Sequence, residues 1–151
     1  MNPEHERIRS AFGALISQTA RIWRRAVDRR LNPYGLTEAN WLPLLRVARA
    51  PAAMRQKDLA ASLSLDNSSV VRLLDALEEA GFVERREDSD RRAKAIVLTA
   101  SGRAIVNQVE DVARQVREDA LLGLPAEDVE TSARVLSHIC RVLAPQGEGA
   151  P

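Results

Sequence analysis

Arg85, Arg86, Arg91, Arg92 and Lys94 crowd into one short span of the chain, interleaved with Glu84, Glu87, Asp88 and Asp90. Guanidinium groups gathered in this way can grip phosphate through paired hydrogen bonds, or enter a narrow minor groove of DNA where the negative potential is deepest. Opposite charges at this density also describe an ordinary solvated hairpin whose ions cancel. Two features favour the first chemistry. Arg91 and Arg92 stand side by side at the tip, and the acids are spaced to hold arginine stems in position.

A second candidate lies upstream, in DNSSVVRLLDALEEAG (residues 66–81). If Val70 or Val71, Leu74 and Leu77 face a core, the outward side chains are Ser68, Ser69, Arg72, Asp75 and Glu79. Together with Asn67, the first half shows small polar groups and one arginine, while the second half shows acids. That polarity suits a helix whose N-terminal half enters a major groove, with Arg72 pairing to guanine and Asn67, Ser68 and Ser69 touching bases or phosphates. A surface helix with a polar cap has the same composition. Alone, this helix leaves both readings open.

Other chemistries find no support. There is no nucleophile–base pair, phosphate loop or metal constellation, so neither an enzyme nor a cofactor is expected. His5 and His138 stand far apart, with no ligand motif beside either. Cys140 is the single cysteine, which excludes an internal disulfide. It falls on the apolar stripe of the last helix and is expected to be a buried structural thiol.

The elements that must position these residues follow from pattern. An apolar share of 45% against 28% charged residues describes a folded chain, and aromatics at 3% leave a core of Leu, Val, Ile and Ala, which favours helices. The formal net charge is only +1, so any basic footprint must be local. The opening MNPEHERIRS has no apolar signal region, and no run approaches the roughly 18 apolar residues of a membrane span. A cytoplasmic protein without membrane contact is expected.

Ile8, Phe12, Leu15, Thr19, Ile22, Trp23, Ala26 and Val27 recur at helical spacing up to Leu31, where NPYG turns the chain. Thr37 caps a second helix carrying Trp41, Leu42, Leu45 and Val47, with a bend expected at Pro43. A short helix over 56–63, a tight connection at Ser64-Leu65 and a longer helix between the Asp66 cap and Gly81 make a helix-turn-helix. Residues 82–85 and 95–98 read as strands. The charged run joins them into a hairpin, and a hairpin after a helix-turn-helix is a wing. From residue 99 a long helix carries Ile105, Val106, Val109, Ala113 and Val116, and a last one carries Val129, Ala133, Leu136, Ile139, Cys140 and Leu143. The expected architecture is mainly α: a single domain over 1–145 with a winged helix-turn-helix at 36–98, flanked by helices at 1–31 and 99–145, and a disordered tail at 146–151. The flanking helices carry apolar stripes with no partner in so small a fold. Burial against a second copy makes them dimerisation helices of a homodimer.

The pattern Asp90-x-Arg92, with Leu98-Thr99 closing the next strand, resembles the wing signature of the MarR family of transcriptional regulators. RIWRRAVDRRLNPYGLTEANW (21–41), SSVVRLLDALEEAGFVER (68–85) and SDRRAK (89–94) resemble segments of its SlyA branch, and the likeness extends over about residues 21–130. The resemblance implies a dimeric, ligand-responsive repressor on a pseudo-palindromic operator of double-stranded DNA. Recognition helix 66–80 would enter the major groove and wing 86–94 the minor groove. Arg72 matches the recognition-helix arginine, Arg85 the strand arginine, and Arg91 and Arg92 the wing-tip pair. Arg91 is expected in the groove, with Arg92 shared between phosphate and Asp90, and Lys94 closes the basic run. The resemblance also implies a cleft for a small aromatic carboxylate effector lined by Arg21, Trp41 and Arg72. Ala39 and Leu45 replace a hydroxyl and an imidazole of the SlyA cleft, so the effector need not be salicylate. The alternative is a winged-helix protein-interaction scaffold, which predicts no affinity for DNA.

Overall fold

An asparagine and a proline start the first helix. In the computed structural model, which describes residues 2–87 and 94–145, the Asn2 side-chain oxygen accepts a hydrogen bond from the Glu4 N–H at 3.0 Å. Pro3 follows in the first turn, where its missing donor costs nothing. Helix α1 runs Pro3–Leu31 and passes into a 3-10 turn over Asn32–Tyr34, which ends on Gly35 at φ 74°. The Thr37 N–H donates to Asn40 Oδ1 at 2.8 Å and opens α2, Glu38–Arg49. Pro43 is buried inside α2, and the helix continues through it undivided despite the lost backbone donor.

Helix α3, Gln56–Leu63, stops at Ser64, whose left-handed backbone (φ 53°) lets the Leu65 N–H reach back to the Ala60 carbonyl at 2.9 Å. Two residues on, α4 begins and spans Asn67–Glu79. Gly81, at φ 80°, ends it and sends the chain into β1, Val83–Glu87. β1 pairs antiparallel with β2, Lys94–Leu98, in a register that sets Val83 against Leu98, Arg85 against Ile96 and Glu87 against Lys94. Helix α5 covers Ala100–Leu121 and α6 covers Ala126–Leu143. The fold is mainly α, a winged helix-turn-helix, as expected. The sequence reading missed one piece of sheet. Arg55 bridges to Ala95, and the Ile96 N–H donates to the Met54 carbonyl at 2.8 Å, so the segment before α3 covers the free edge of β2. A two-residue bridge has no periodicity to read.

The chain divides into two compact units, Met1–Val116 and Arg117–Pro151. The core belongs to the first. Leu31, Leu44, Leu59, Leu74, Val70, Val83 and Val109 are fully buried there, so helices α1 to α5 and strand β1 are all fastened to one apolar cluster. Truncating one such leucine to alanine costs about 2–5 kcal/mol. Of the two candidates on α4, Val70 is the buried one and Val71 is half-buried.

The wing is anchored at its base by Thr99. Its hydroxyl donates to the Gly81 carbonyl at 2.5 Å and accepts from the Gly102 N–H at 3.1 Å, while its own N–H donates to the Phe82 carbonyl at 3.1 Å. The same turn brings α5 against the chain entering β1. A β-carbon placed on Gly102 would lie 2.1 Å from the Phe82 carbonyl oxygen. Only glycine fits that approach.

Two apolar faces stay uncovered. On α1 only Val27 and Leu31 are buried, and Ile8, Phe12, Leu15 and Ile22 are exposed. Helix α6 has no buried residue, and Val135, Leu136, Val142 and Leu143 are exposed. Cys140 is exposed with them, which corrects the expectation of a buried thiol: its stripe has no cover in the single chain. Among the described residues no helix is long and apolar enough to cross a membrane.

Candidate nucleic-acid interface

The N-terminal end of α4 is organised by its cap. Asp66 accepts from the Ser69 N–H at 2.7 Å and from the Ser68 hydroxyl at 2.9 Å. These bonds, the one from the Ser69 backbone foremost, hold the Asp66 carboxyl below the usual carboxylate range. The cap is therefore fully ionised near neutrality. One turn away, Gln56 Nε2 donates to Asn67 Oδ1 at 2.9 Å and ties the start of α3 to the start of α4. Ser68 is exposed and Ser69 half-buried. Arg72 is exposed, and no ion pair among the described residues engages it.

The strand is organised by alternation. Val83 is buried in the core, and Arg85, two residues on, lies on the same face of β1. Its guanidinium meets α4, where it pairs with Asp75 and, through Nε at 3.1 Å, with Glu78. The Nε–Glu78 contact is close but poorly aligned, so it acts by charge attraction and not as a directed hydrogen bond. On the opposite face Arg86 turns to Glu84 at 2.8 Å. Lys94 is exposed across the ladder from Glu87. Arg91 and Arg92 lie outside the described residues. Arg85, expected to reach DNA, is thus held by two carboxylates of α4.

The residues expected around an effector are not brought into mutual contact. Trp41 is 3% exposed, packed in the core cluster with Val27 and Leu31, and its indole N–H donates to Asp28 Oδ1 at 3.1 Å. Arg21 is exposed on α1, seven residues before Asp28, about 10 Å along the same helix face. Arg72 is exposed on α4. No hydrogen bond or ion pair between any two of the three is found among the described residues. Nor is there, among those residues, a group of three His, Cys, Asp or Glu side chains able to hold a metal ion.

Some organising contacts had no sequence signal. Arg49 at the end of α2 grips Glu110 of α5 in a two-pronged pair, Nε–Oε1 2.9 Å and Nη2–Oε2 2.8 Å, across 61 positions of chain. The Glu110 hydrogen bond raises the Arg49 pKa further. The Arg85–Asp75 pair was likewise hidden, since side-chain direction on a strand is settled only by knowing which face meets α4.

A helix-turn-helix whose second helix bares a polar N-terminal half, followed by a hairpin anchored at its base, defines a winged-helix DNA-binding domain. The MarR family model matches residues 36–94, the stretch from two residues before α2 to the start of β2. The crystal structure of the transcriptional regulator PA3341 is 41% identical, with a TM-score of 0.81, over 87% of this chain and 97% of its own. A MarR-family regulator from Rhodococcus sp. RHA1 is 29% identical, with a TM-score of 0.73, over 87% of this chain and 94% of its own. CouR from Rhodococcus jostii RHA1, solved with p-coumaroyl-CoA bound, is 26% identical, with a TM-score of 0.71, over 93% of this chain and 95% of its own. The chain belongs to the MarR family of DNA-binding transcriptional regulators, which are not enzymes.

Proposed function

We propose that this regulator is a cytoplasmic homodimeric repressor that occupies a pseudo-palindromic operator and is released by a small anionic effector. The observation that carries the DNA geometry is the exposed Arg72, on the polar half of a helix otherwise fastened to the core. Asn67, Ser68 and Ser69 flank it in the major groove. Arg91, Arg92 and Lys94 serve the flanking minor groove and phosphates. The single domain over 1–145 closes into a dimer through 1–31 and 99–145, because the uncovered faces of α1 and α6 bear Ile8, Phe12, Leu15, Leu136 and Leu143. Apolar surface of this extent is what an obligate homodimer buries.

The SlyA-like placement within the family rests on the three segments quoted above; the SlyA structure shares the fold. The effector class rests on Arg21 and Arg72, cations able to meet a carboxylate or the phosphates of a coenzyme A thioester. CouR's own ligand shows that a fold of this kind can accommodate an aromatic acyl thioester. With Trp41 buried and bonded to Asp28, an effector would meet these arginines without stacking on the indole.

The test is a footprint of the purified protein on DNA from its own upstream region. Expected is two-fold symmetric protection: two major-groove segments about one helical turn apart, roughly 10 bp, with protected minor grooves outside them. Protection of a single unpaired segment would overturn the dimeric operator. No protection at all would favour a protein-interaction scaffold.

A further inference from the structure

Arg72 stands three residues before Asp75 on α4, and among the positions that share its face at that spacing (68, 69, 75 and 76) Asp75 is the only acid. Both side chains are exposed. An arginine and an aspartate three apart on an open helix face are in reach of each other, so Arg72 would be expected to turn to Asp75. It does not. Asp75 is engaged by Arg85 from β1, and the same guanidinium lies 3.1 Å from Glu78, one turn further along α4. The Arg85 side chain is only 23% exposed, against 61% for Asp75 and 47% for Glu78, so the cation comes from the packed side of the hairpin. Its position is fixed by the β-ladder and by Val83 in the core beside it.

The last turn of α4 also needs a cation. Glu78 and Glu79 face the unfavourable end of the helix dipole, and no basic residue of α4 lies in that turn. Arg85 fills that need from another element.

We infer that Arg85 is a positioning residue: by sequestering Asp75 it keeps the Arg72 guanidinium available for DNA. This rests on the DNA reading above and deepens it, because the strand arginine acts on the recognition helix and makes no contact with DNA itself. Loss of Arg85 would free Asp75 to capture Arg72, and removing Asp75 as well would undo the damage.

The experiment compares wild type, Arg85→Gln, Asp75→Asn and the double variant for binding to upstream DNA against scrambled competitor. Arg85→Gln is expected to weaken specific binding about tenfold. Asp75→Asn should bind like wild type, and the double variant should return to within about threefold of it. A double variant as weak as Arg85→Gln would mean that Arg85 contacts DNA directly and would overturn the inference. So would an Arg85→Gln protein that binds like wild type. If Arg85→Gln does not fold, Asp75→Asn/Glu78→Gln serves instead. Sequestration predicts the wild-type salt slope for it, whereas a released, DNA-contacting Arg85 would steepen that slope by about two, one for each protomer of the dimer.

A second readout separates this inference from the DNA reading. In DNA-free protein the ¹⁵N signal of the Arg72 guanidinium should move in Arg85→Gln and return in the double variant. An unmoved signal would sink the sequestration even if every variant bound DNA. Wild type with no preference for upstream DNA would sink the DNA reading alone.

Discussion

Gly102→Ala unfolds at a lower denaturant concentration than wild type, by about 3 kcal/mol, the upper range for overpacking a closed site. Intrinsic propensity points the other way, since alanine favours a helix over glycine by about 1 kcal/mol. The clash decides the sign. The added carbon would lie 2.1 Å from the Phe82 carbonyl oxygen, a backbone atom with no rotamer to give way. That carbonyl also accepts the Thr99 N–H, and the Thr99 hydroxyl holds the Gly81 carbonyl, so any relief must break the junction of α4, the hairpin and α5. The variant should also bind DNA poorly at temperatures where it remains folded, because the wing base shifts against α4. Urea melts at unchanged slope would check it. A midpoint at or above wild type would mean that the approach relaxes cheaply.

Arg72→Ala loses roughly ten- to hundredfold in specific affinity for each half-site, corresponding to about 1–3 kcal/mol for one good guanine contact. The loss should be confined to the cognate sequence. Binding to scrambled DNA should barely change, and discrimination should relax at one base pair in each half-site. Competition against an operator series substituted singly would show this. A uniform loss across all sequences would make Arg72 a phosphate contact. Stability should be nearly untouched, since the side chain is exposed and removes no buried contact.

The order of elements was legible because each boundary carries strong local chemistry: Asp66 in front of α4, Gly81 behind it, the NPYG turn after α1. The core faces of α2 and α4 were equally plain from spacing. Partnerships across the chain were not. Arg85 looked like one more basic residue of the wing, and nothing local shows that it shares a face with Val83 and meets Asp75 and Glu78. Trp41 carries no mark in the sequence of its bond to Asp28. Cys140 was expected inside because it lies on an apolar stripe, but a stripe tells which side of a helix is greasy and not whether the same chain covers it. The electrostatic half of the candidate site was readable as composition. Its wiring was not, because salt bridges between elements depend on side-chain direction and not on spacing.

The central claim is that recognition helix and wing together bind DNA specifically. Its most direct test is titration of the protein against upstream DNA over a range of salt, beside Arg91→Ala/Arg92→Ala and with scrambled DNA as competitor. A specific complex is expected whose affinity falls steeply with salt, and a weaker complex for the variant whose log–log slope is shallower by about four, one for each of the two arginines removed from each protomer of the dimer. Equal, weak and non-selective binding by both proteins would contradict it, and the wing would be a charged hairpin with no nucleic acid to meet.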